Sequence, residues 1–147
     1  MKEKCVHFVC TGNTFRSRLA KAYCDSLGLD DIKASSSGIR AERNLDGTIC
    51  WYTQKLIVEN NLIDFVEPKW TQTTSEILKN QDIVFFMKKE HLDFCQQNFS
   101  YNAMNFEVWN IEDITEGKSV LEVIQKTENI FNQIKSKVDK INHFLAH

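Results

Sequence analysis

The chain has 147 residues, the length of one ordinary domain, and 42% of them are hydrophobic and 26% charged. These values exclude a globally disordered chain. A formal net charge of −2 argues against nucleic acid or an anionic membrane as the main binding partner.

The chain contains no visible targeting segment, and no apolar run approaches the roughly 18 residues that a membrane span needs. Its five cysteines form no CxxC pair, so they do not resemble a disulfide framework or a zinc site; they are Cys5, Cys10, Cys24, Cys50 and Cys95. We therefore expect a single cytoplasmic domain over residues 1–147, with no membrane partner and no nucleic-acid partner.

Hydrophobic periodicity predicts strands that alternate with helices along the whole chain. The predicted elements in chain order are a strand over 5–9, a helix over 17–28, a strand over 32–36, helices over 48–61 and 74–80, a strand over 82–87, a helix over 89–97, a strand over 105–109 and a long amphipathic helix over 120–145. This alternation indicates an α/β fold, in which a four-stranded parallel sheet has helices on both faces.

In a doubly wound parallel sheet, ligands bind beyond the carboxyl ends of the strands, above all at the first turn from strand to helix. A helix N-terminus there offers unpaired N–H groups and the positive end of a dipole, which attract an anion. Glycine and asparagine tolerate the left-handed backbone that lets a loop curl around such an anion, and an arginine can close the ring with its planar fork. The sequence therefore predicts a phosphate-binding loop formed by Thr11, Gly12, Asn13, Thr14, Phe15, Arg16 and Ser17.

Cys10 precedes this loop directly, at its floor. The field that binds the anion also favours the thiolate, which is a strong nucleophile, and a bound phosphate would lie directly above it. The Ser17 hydroxyl can donate to the sulfur and stabilise it as a leaving group, while Arg16 neutralises the phosphoryl oxygens. The pattern favours attack on phosphorus; the alternative is a buried cysteine beside a surface arginine.

The stretch C-T-G-N-T-F-R-S strongly resembles the phosphate-binding loop of the low molecular weight protein tyrosine phosphatases, whose pattern is C-x-G-N-x-C-R-S-P. Ser36-Ser37-Gly38 resembles the family's Ser-Ala-Gly, whose serine hydrogen-bonds the loop asparagine, and the strand at 82–87 followed by His91 resembles its central strand. The resemblance implies a flavodoxin-like three-layer sandwich and hydrolysis of a phosphomonoester through a cysteinyl-phosphate, with no metal or cofactor. It also implies loop-supporting roles for Asn13, Ser17 and Ser37.

The segment Trp109–Ile114 resembles the stretch that holds the family's Asp-Pro general acid. The resemblance implies that Asp113 protonates the leaving oxygen and then activates the hydrolytic water, with Glu112 as its nearest rival. From the residues alone, Asp113 is only an aspartate after a predicted strand, and such residues usually cap helices or stay solvated. Arg40 and Arg43 are candidates for the rim of the substrate site, or else solvated surface charge.

Three positions depart from the family pattern. Phe15 replaces the second loop cysteine, which can protect the nucleophile through a reversible disulfide, so we expect peroxide to inactivate Cys10 less reversibly. Arg18 and Ile114 replace prolines that pre-set the local backbone, so we expect a less constrained acid loop and slower turnover.

A tyrosine phosphatase is the leading interpretation, acting on a phosphorylated protein or a small phosphomonoester as a monomer or weak dimer. A phosphoarginine phosphatase is one alternative, since threonine at position 11 is close to those members of the family. An arsenate reductase, which would need a close pair of downstream cysteines, and a non-catalytic phosphate-binding module are the others. His91 and Cys95 are too few to hold a metal and are interpreted as a helix-surface histidine and a core cysteine.

Overall fold

The computed structural model describes residues 3–43, 49–114 and 119–145, so position 48 of the second predicted helix lies outside the described residues. Its helices and strands follow the predicted order, with boundaries shifted by one to three residues. In chain order they are β1 (Lys4–Cys10), α1 (Arg16–Ser26), β2 (Ile32–Gly38), α2 (Trp51–Glu59), α3 (Ser75–Lys79), β3 (Ile83–Phe86), α4 (Lys89–Phe99), β4 (Phe106–Val108) and α5 (Val120–Leu145). Short 3-10 turns at Ala41–Arg43 and Ile63–Phe65 were not predicted.

The four strands form one parallel sheet in the order β2-β1-β3-β4. The register pairs Cys10 with Gly38 and Val9 with Phe86 at the carboxyl ends of the strands. β2 lies on one side of β1, and β3 and then β4 lie on the other side, so the direction in which strands are added reverses at β1. The loop after β1 therefore lies at the switch point where α/β sheets of this type bind ligands.

Two hydrophobic cores cover the two faces of the sheet, because successive strand residues point to opposite sides. Val6 and Phe8 of β1 face α1, α2 and α5, where Leu19 and Ile134 are fully buried. Val9 of β1 and the alternate residues of β3 face the smaller core with α3 and α4. The predicted flavodoxin-like α/β sandwich with helices on both faces is confirmed.

Within the described ranges, none of the helices is both long enough and apolar enough to cross a membrane.

Candidate active site

The loop between β1 and α1 is held from outside by its carbonyl groups. The carbonyl of Cys10 accepts from the Ile39 N–H at 3.0 Å, and that of Thr11 accepts from the Arg40 N–H at 2.8 Å. In a trans peptide the C=O and N–H point in opposite directions, so the following N–H groups are turned away from these outer partners. This arrangement directs backbone donors toward the inside of the loop, as an anion-binding nest requires. Helix α1 begins there with no side-chain cap on its N–H groups.

Cys10 lies at the base of the loop, and its sulfur faces two donors. The Ser17 hydroxyl is 2.9 Å from Cys10 Sγ, and the Asn13 N–H points at the same atom from 3.3 Å. The cysteine is 3% exposed, so these groups rather than water surround the sulfur. Both donors stabilise negative charge on sulfur, which is the state needed for attack and for departure.

Asn13 connects the loop to two other segments of the chain. Its Oδ1 accepts from the Thr71 N–H at 2.9 Å, which assigns the amide nitrogen as the donor to Ser17 Oγ at 2.7 Å and to Ser36 Oγ at 3.0 Å. Because Ser17 Oγ accepts from Asn13, its own hydrogen remains available for Cys10. Asn13 has a φ of 56°, in the left-handed region that the sequence led us to expect at this position.

The serine whose hydroxyl contacts Asn13 is Ser36, and the hydroxyl of Ser37, the residue expected to support the loop, lies elsewhere. The Ser37 hydroxyl instead contacts His7 Nε2 at 2.7 Å and Thr73 Oγ1 at 2.6 Å. The Ser37 backbone carbonyl lies 3.3 Å from Ser17 Oγ and is the alternative acceptor for the single hydroxyl hydrogen of Ser17, which is closer to Cys10 Sγ at 2.9 Å. The one-residue difference follows from the alternation of side chains along β2, which turns Ser36 and Ser37 to opposite faces.

Gly38, at the end of β2, lies directly against the loop. A Cβ at this position would be 2.6 Å from the Thr11 carbonyl oxygen and 2.7 Å from the Asn13 nitrogen. Both are backbone atoms that cannot rotate away, so the close approach of β2 to the loop requires glycine here.

Arg16 and Asp113, far apart in the sequence, meet at the mouth of the loop. Arg16 is 2% exposed; its Nη1 donates to the Ile111 carbonyl at 2.9 Å, and its Nη2 lies 3.5 Å from Asp113 Oδ2. The rival carboxylate, Glu112, instead pairs with Lys88 at 2.5 Å, and this ion pair lowers the pKa of Glu112. Of the two candidate acids, the structure brings Asp113 to Arg16.

His91 is not on the helix surface, as the sequence suggested, but fully buried beside the loop. Its Nδ1 accepts from the Lys88 N–H at 3.0 Å, so its Nε2 carries the hydrogen and donates to Thr11 Oγ1 at 2.9 Å. Burial and the nearby charges of Arg16 and Lys88 lower the pKa of His91 to about 3 and keep the ring neutral. Its position in the sequence could have indicated this contact. It lies four residues after the predicted strand over 82–87, and therefore near the carboxyl edge of the sheet where the loop lies.

The two arginines predicted for the rim have different surroundings. The Arg40 guanidinium lies over the Phe94 ring, 5.0 Å from its centroid, whereas Arg43 is exposed in a 3-10 turn.

Three aromatic side chains lie together beside the loop. The Phe15 ring packs edge-on against Tyr52 with 5.2 Å between ring centroids, and Tyr52 packs in the same manner against Trp51 at 5.6 Å.

Comparison with known proteins agrees with this geometry. The sequence model of the family described as "Low molecular weight phosphotyrosine protein phosphatase" matches residues 5–146. The chain belongs to this family. The resemblance inferred from the loop is thereby confirmed, and as a member of the family the chain is a cysteine-based phosphatase.

The relatives of this phosphatase have diverse activities. The arsenate reductase of Bacillus subtilis (strain 168) is 26% identical over 114 residues, which cover 77% of this chain and 76% of the relative. The Drosophila arginine phosphatase DARP has a TM-score of 0.79 at 19% identity and covers 100% of this chain and 99% of its own. A low molecular weight protein tyrosine phosphatase from T. tengcongensis has a TM-score of 0.70 at 24% identity, covering 95% and 100% of the two chains. The two structural likenesses support the flavodoxin-like fold.

Proposed function

We propose that this phosphatase hydrolyses phosphotyrosine or a similar aromatic phosphomonoester, with Cys10 as the nucleophile. The observation that carries the proposal is the pair of donors on Cys10 Sγ, namely the Ser17 hydroxyl at 2.9 Å and the Asn13 N–H at 3.3 Å. A cysteine that served only to fill the core would have no need of two donors directed at its sulfur. Phosphate binding alone would have no need of a cysteine at this position either.

In the first step the Cys10 thiolate attacks phosphorus in line with the ester oxygen. The S–P bond forms as the O–P bond breaks, and the phenolic oxygen that leaves takes a proton from Asp113. The loop N–H groups and the fork of Arg16 neutralise the three equatorial oxygens. Asp113 Oδ2 lies 3.5 Å from Arg16 Nη2, so the carboxyl group that supplies the proton stands beside the guanidinium that holds the phosphoryl oxygens.

In the second step Asp113, now a carboxylate, takes a proton from a water molecule. The water oxygen forms a bond to phosphorus as the S–P bond breaks, which releases inorganic phosphate and regenerates the thiolate. The Ser17 hydroxyl, 2.9 Å from the sulfur, donates to it as it departs, since a thiolate can only accept. The products are the free phenol and phosphate, and the enzyme returns to its starting state.

The aromatic residues beside the loop support an aromatic leaving group. Phe15 belongs to the loop itself, Tyr52 packs against it, and Trp51, which packs against Tyr52, is 47% exposed. A substrate ring emerging from the loop on this side meets apolar surface and ring edges, which favour aromatic contact. The positive charge of Arg40 on the α4 side disfavours the cationic guanidinium of a phosphoarginine substrate.

An arsenate reductase is the second candidate, because a relative of that name matches most of the chain. Such an activity needs a second thiol that can reach the first. Cys95, a residue of α4, is fully buried in the smaller core, and burial raises the pKa of its thiol to about 12, so it is a poor relay. Cys50 is only partly buried and lies 4.0 Å from Thr14 Oγ1, so it is the thiol to monitor in this test.

The test is hydrolysis of p-nitrophenyl phosphate in mildly acidic buffer by the parent, Cys10→Ser, Asp113→Asn and the matched control Glu112→Gln. We expect no activity from Cys10→Ser and a kcat lower by about 10²–10³-fold for Asp113→Asn. Glu112→Gln should stay within about twofold of the parent, since Glu112 is engaged by Lys88. A larger loss in Glu112→Gln than in Asp113→Asn would transfer the acid role to Glu112.

Substrate choice is tested with matched peptides that carry phosphotyrosine or phosphoarginine at one position. A higher kcat/KM for phosphoarginine would overturn the aromatic assignment but retain the Cys10 chemistry. If a titration of free thiols shows that two thiols per chain are oxidised when arsenate is added, an arsenate reductase is favoured. If the parent binds vanadate but hydrolyses nothing, the chain is a phosphate-binding module.

A further inference from the structure

Arg18 is the largest side chain that is almost entirely buried, with 1% of its surface exposed. It occupies the position where the family pattern has proline, directly after Ser17 of the loop. A buried guanidinium is costly unless its donors and its charge are compensated. Its presence here therefore needs a reason beyond packing.

The guanidinium links the phosphate loop to a distant segment. Nη1 donates to the Asn13 carbonyl at 3.3 Å and Nη2 donates to the Glu67 carbonyl at 2.5 Å, whereas Nε has no hydrogen-bond partner among the described residues. The Glu67 carboxylate itself is bonded to Lys21 at 2.8 Å. Two neutral carbonyls thus contact the cation, and no carboxylate is paired directly with it among the described ion pairs.

The contact with Asn13 acts on the peptide that shapes the loop. The Asn13 N–H points at Cys10 Sγ, and its carbonyl points at Arg18 on the outer side of the loop. Because the peptide is trans, a carbonyl held outward turns the Thr14 N–H inward. Arg18 therefore holds the Asn13–Thr14 peptide by a charged hydrogen bond, whereas a proline at position 18 would restrict only the backbone of residues 17 and 18.

The charge of Arg18 also acts on the sulfur. Burial lowers the pKa of Arg18, and the negative charges of Glu67 and of the Cys10 thiolate act in the opposite direction. Arg16, the arginine within the loop, is paired with Asp113 at the mouth of the loop. His7 from β1 and His91 from α4 are both neutral, since burial lowers the pKa of each to about 3.

We propose that Arg18 is a positioning residue for the phosphatase reaction, a buried second cation that orients the Asn13–Thr14 peptide and stabilises Cys10 as a thiolate. This inference rests on the proposed role of Cys10 as the nucleophile. Arginine stays charged at every pH at which the enzyme is folded, so its contribution to the thiolate is constant across the working range. Arg18 does not contact the substrate; it acts through the loop.

The test is the pH dependence of Cys10 alkylation by iodoacetamide, followed by mass spectrometry of the peptide that contains Cys10. Arg18→Met removes the charge at similar length, Arg18→Pro restores the family residue without the charge, and Arg18→Lys keeps a charge. We expect the alkylation midpoint to move up by about one pH unit in Arg18→Met and Arg18→Pro, and to move much less in Arg18→Lys. The matched control Lys79→Met, which removes a positive charge from an exposed position on α3, should leave the midpoint unchanged.

Turnover supplies the second readout. We expect kcat/KM for p-nitrophenyl phosphate to fall about tenfold in Arg18→Met and to recover partly in Arg18→Lys. If Arg18→Met lowers the melting temperature but leaves the alkylation midpoint and kcat/KM unchanged, Arg18 is only structural and the inference is overturned. If Arg18→Met does not fold, Arg18→Pro decides, because proline is compatible with the first turn of α1.

The alkylation readout needs no turnover, which separates this inference from the proposed function. Hydrolysis that persists in Cys10→Ser would end the nucleophile assignment whatever Arg18 does. An unchanged midpoint in both neutral Arg18 variants, together with an inactive Cys10→Ser, would refute only the role of Arg18.

Discussion

Lowering the pH from 7 to 5 should destabilise the fold through His7, a residue of β1 whose side chain is buried, with 1% of its surface exposed. Its two ring nitrogens contact Ser35 Oγ at 2.6 Å and Ser37 Oγ at 2.7 Å, and no carboxylate is among its described hydrogen-bond partners. Burial lowers the pKa of His7 from 6.5 to about 3. Between these two values the unfolded chain binds a proton that the folded chain does not, so stability is present above pH 6.5 and is lost as the pH falls.

The magnitude follows from the distance between the assay pH and the unfolded pKa. At pH 5 the unfolded histidine is about 1.5 units below its pKa while the folded ring is still neutral, which costs about 2 kcal/mol of unfolding free energy relative to pH 7. His91, whose pKa is also lowered to about 3, contributes a similar loss. Carboxylates with ordinary pKa values near 4 contribute little in this range.

The assay is urea denaturation at pH 7 and pH 5 for the parent, His7→Asn and Ser35→Ala. His7→Asn removes the titrating ring, so the difference in unfolding free energy between the two pH values should shrink by about 2 kcal/mol, whatever the variant's absolute stability. Ser35→Ala removes a hydrogen bond but keeps the ring, so its pH dependence should match that of the parent. An unchanged pH dependence in His7→Asn would refute the reasoning, since another group would then be taking up the proton.

Three further changes have defined outcomes. Gly38→Ala should lower kcat at least tenfold, because the new Cβ would lie 2.6 Å from the Thr11 carbonyl oxygen and displace the loop; steady-state kinetics with wild-type activity would contradict this contact. Mild peroxide should inactivate the parent in a manner that dithiothreitol does not reverse, whereas Phe15→Cys should regain activity; full recovery of the parent would show that another thiol protects Cys10. Ile134→Ala, in the fully buried face of α5, should cost about 2–5 kcal/mol in urea unfolding, and a loss below about 1 kcal/mol would mean that the core collapses around the site.

The sheet and its helices were predictable because each element has its own periodicity. The end of β2 was less so: the predicted strand stopped at residue 36, but the structure continues it to Gly38. The two added residues pair with Val9 and Cys10 of β1, and Gly38 also donates to the Thr71 carbonyl and accepts from the Thr73 N–H. A partner more than 30 residues away leaves no local pattern in β2.

The loop was predictable because its residues are adjacent in the sequence, whereas the residues that support it come from distant parts of the chain. The types and spacing of residues 10–17 can be read directly from the sequence. They are enough to predict the contacts that Cys10 makes within the loop. From the sequence, Arg18 was only a residue in place of a proline, but it is buried and bonded to the Glu67 carbonyl, 49 positions away. His91 was assigned to the surface because helical spacing alone does not reveal that Thr11 lies opposite it.

The supports of the loop have a consequence for the order of folding. Asn13 is bound by Thr71, Thr11 by His91 and Arg16 by Ile111, across sequence separations of 58, 80 and 95 residues. Contacts of such long range form late, since the chain between them must first be ordered. The pairing of Val9 with Phe86 at the centre of the sheet spans a comparable 77 residues. A refolding chain therefore gains a competent loop together with its central strand pair, and the recovery of activity reports the complete fold rather than an early intermediate.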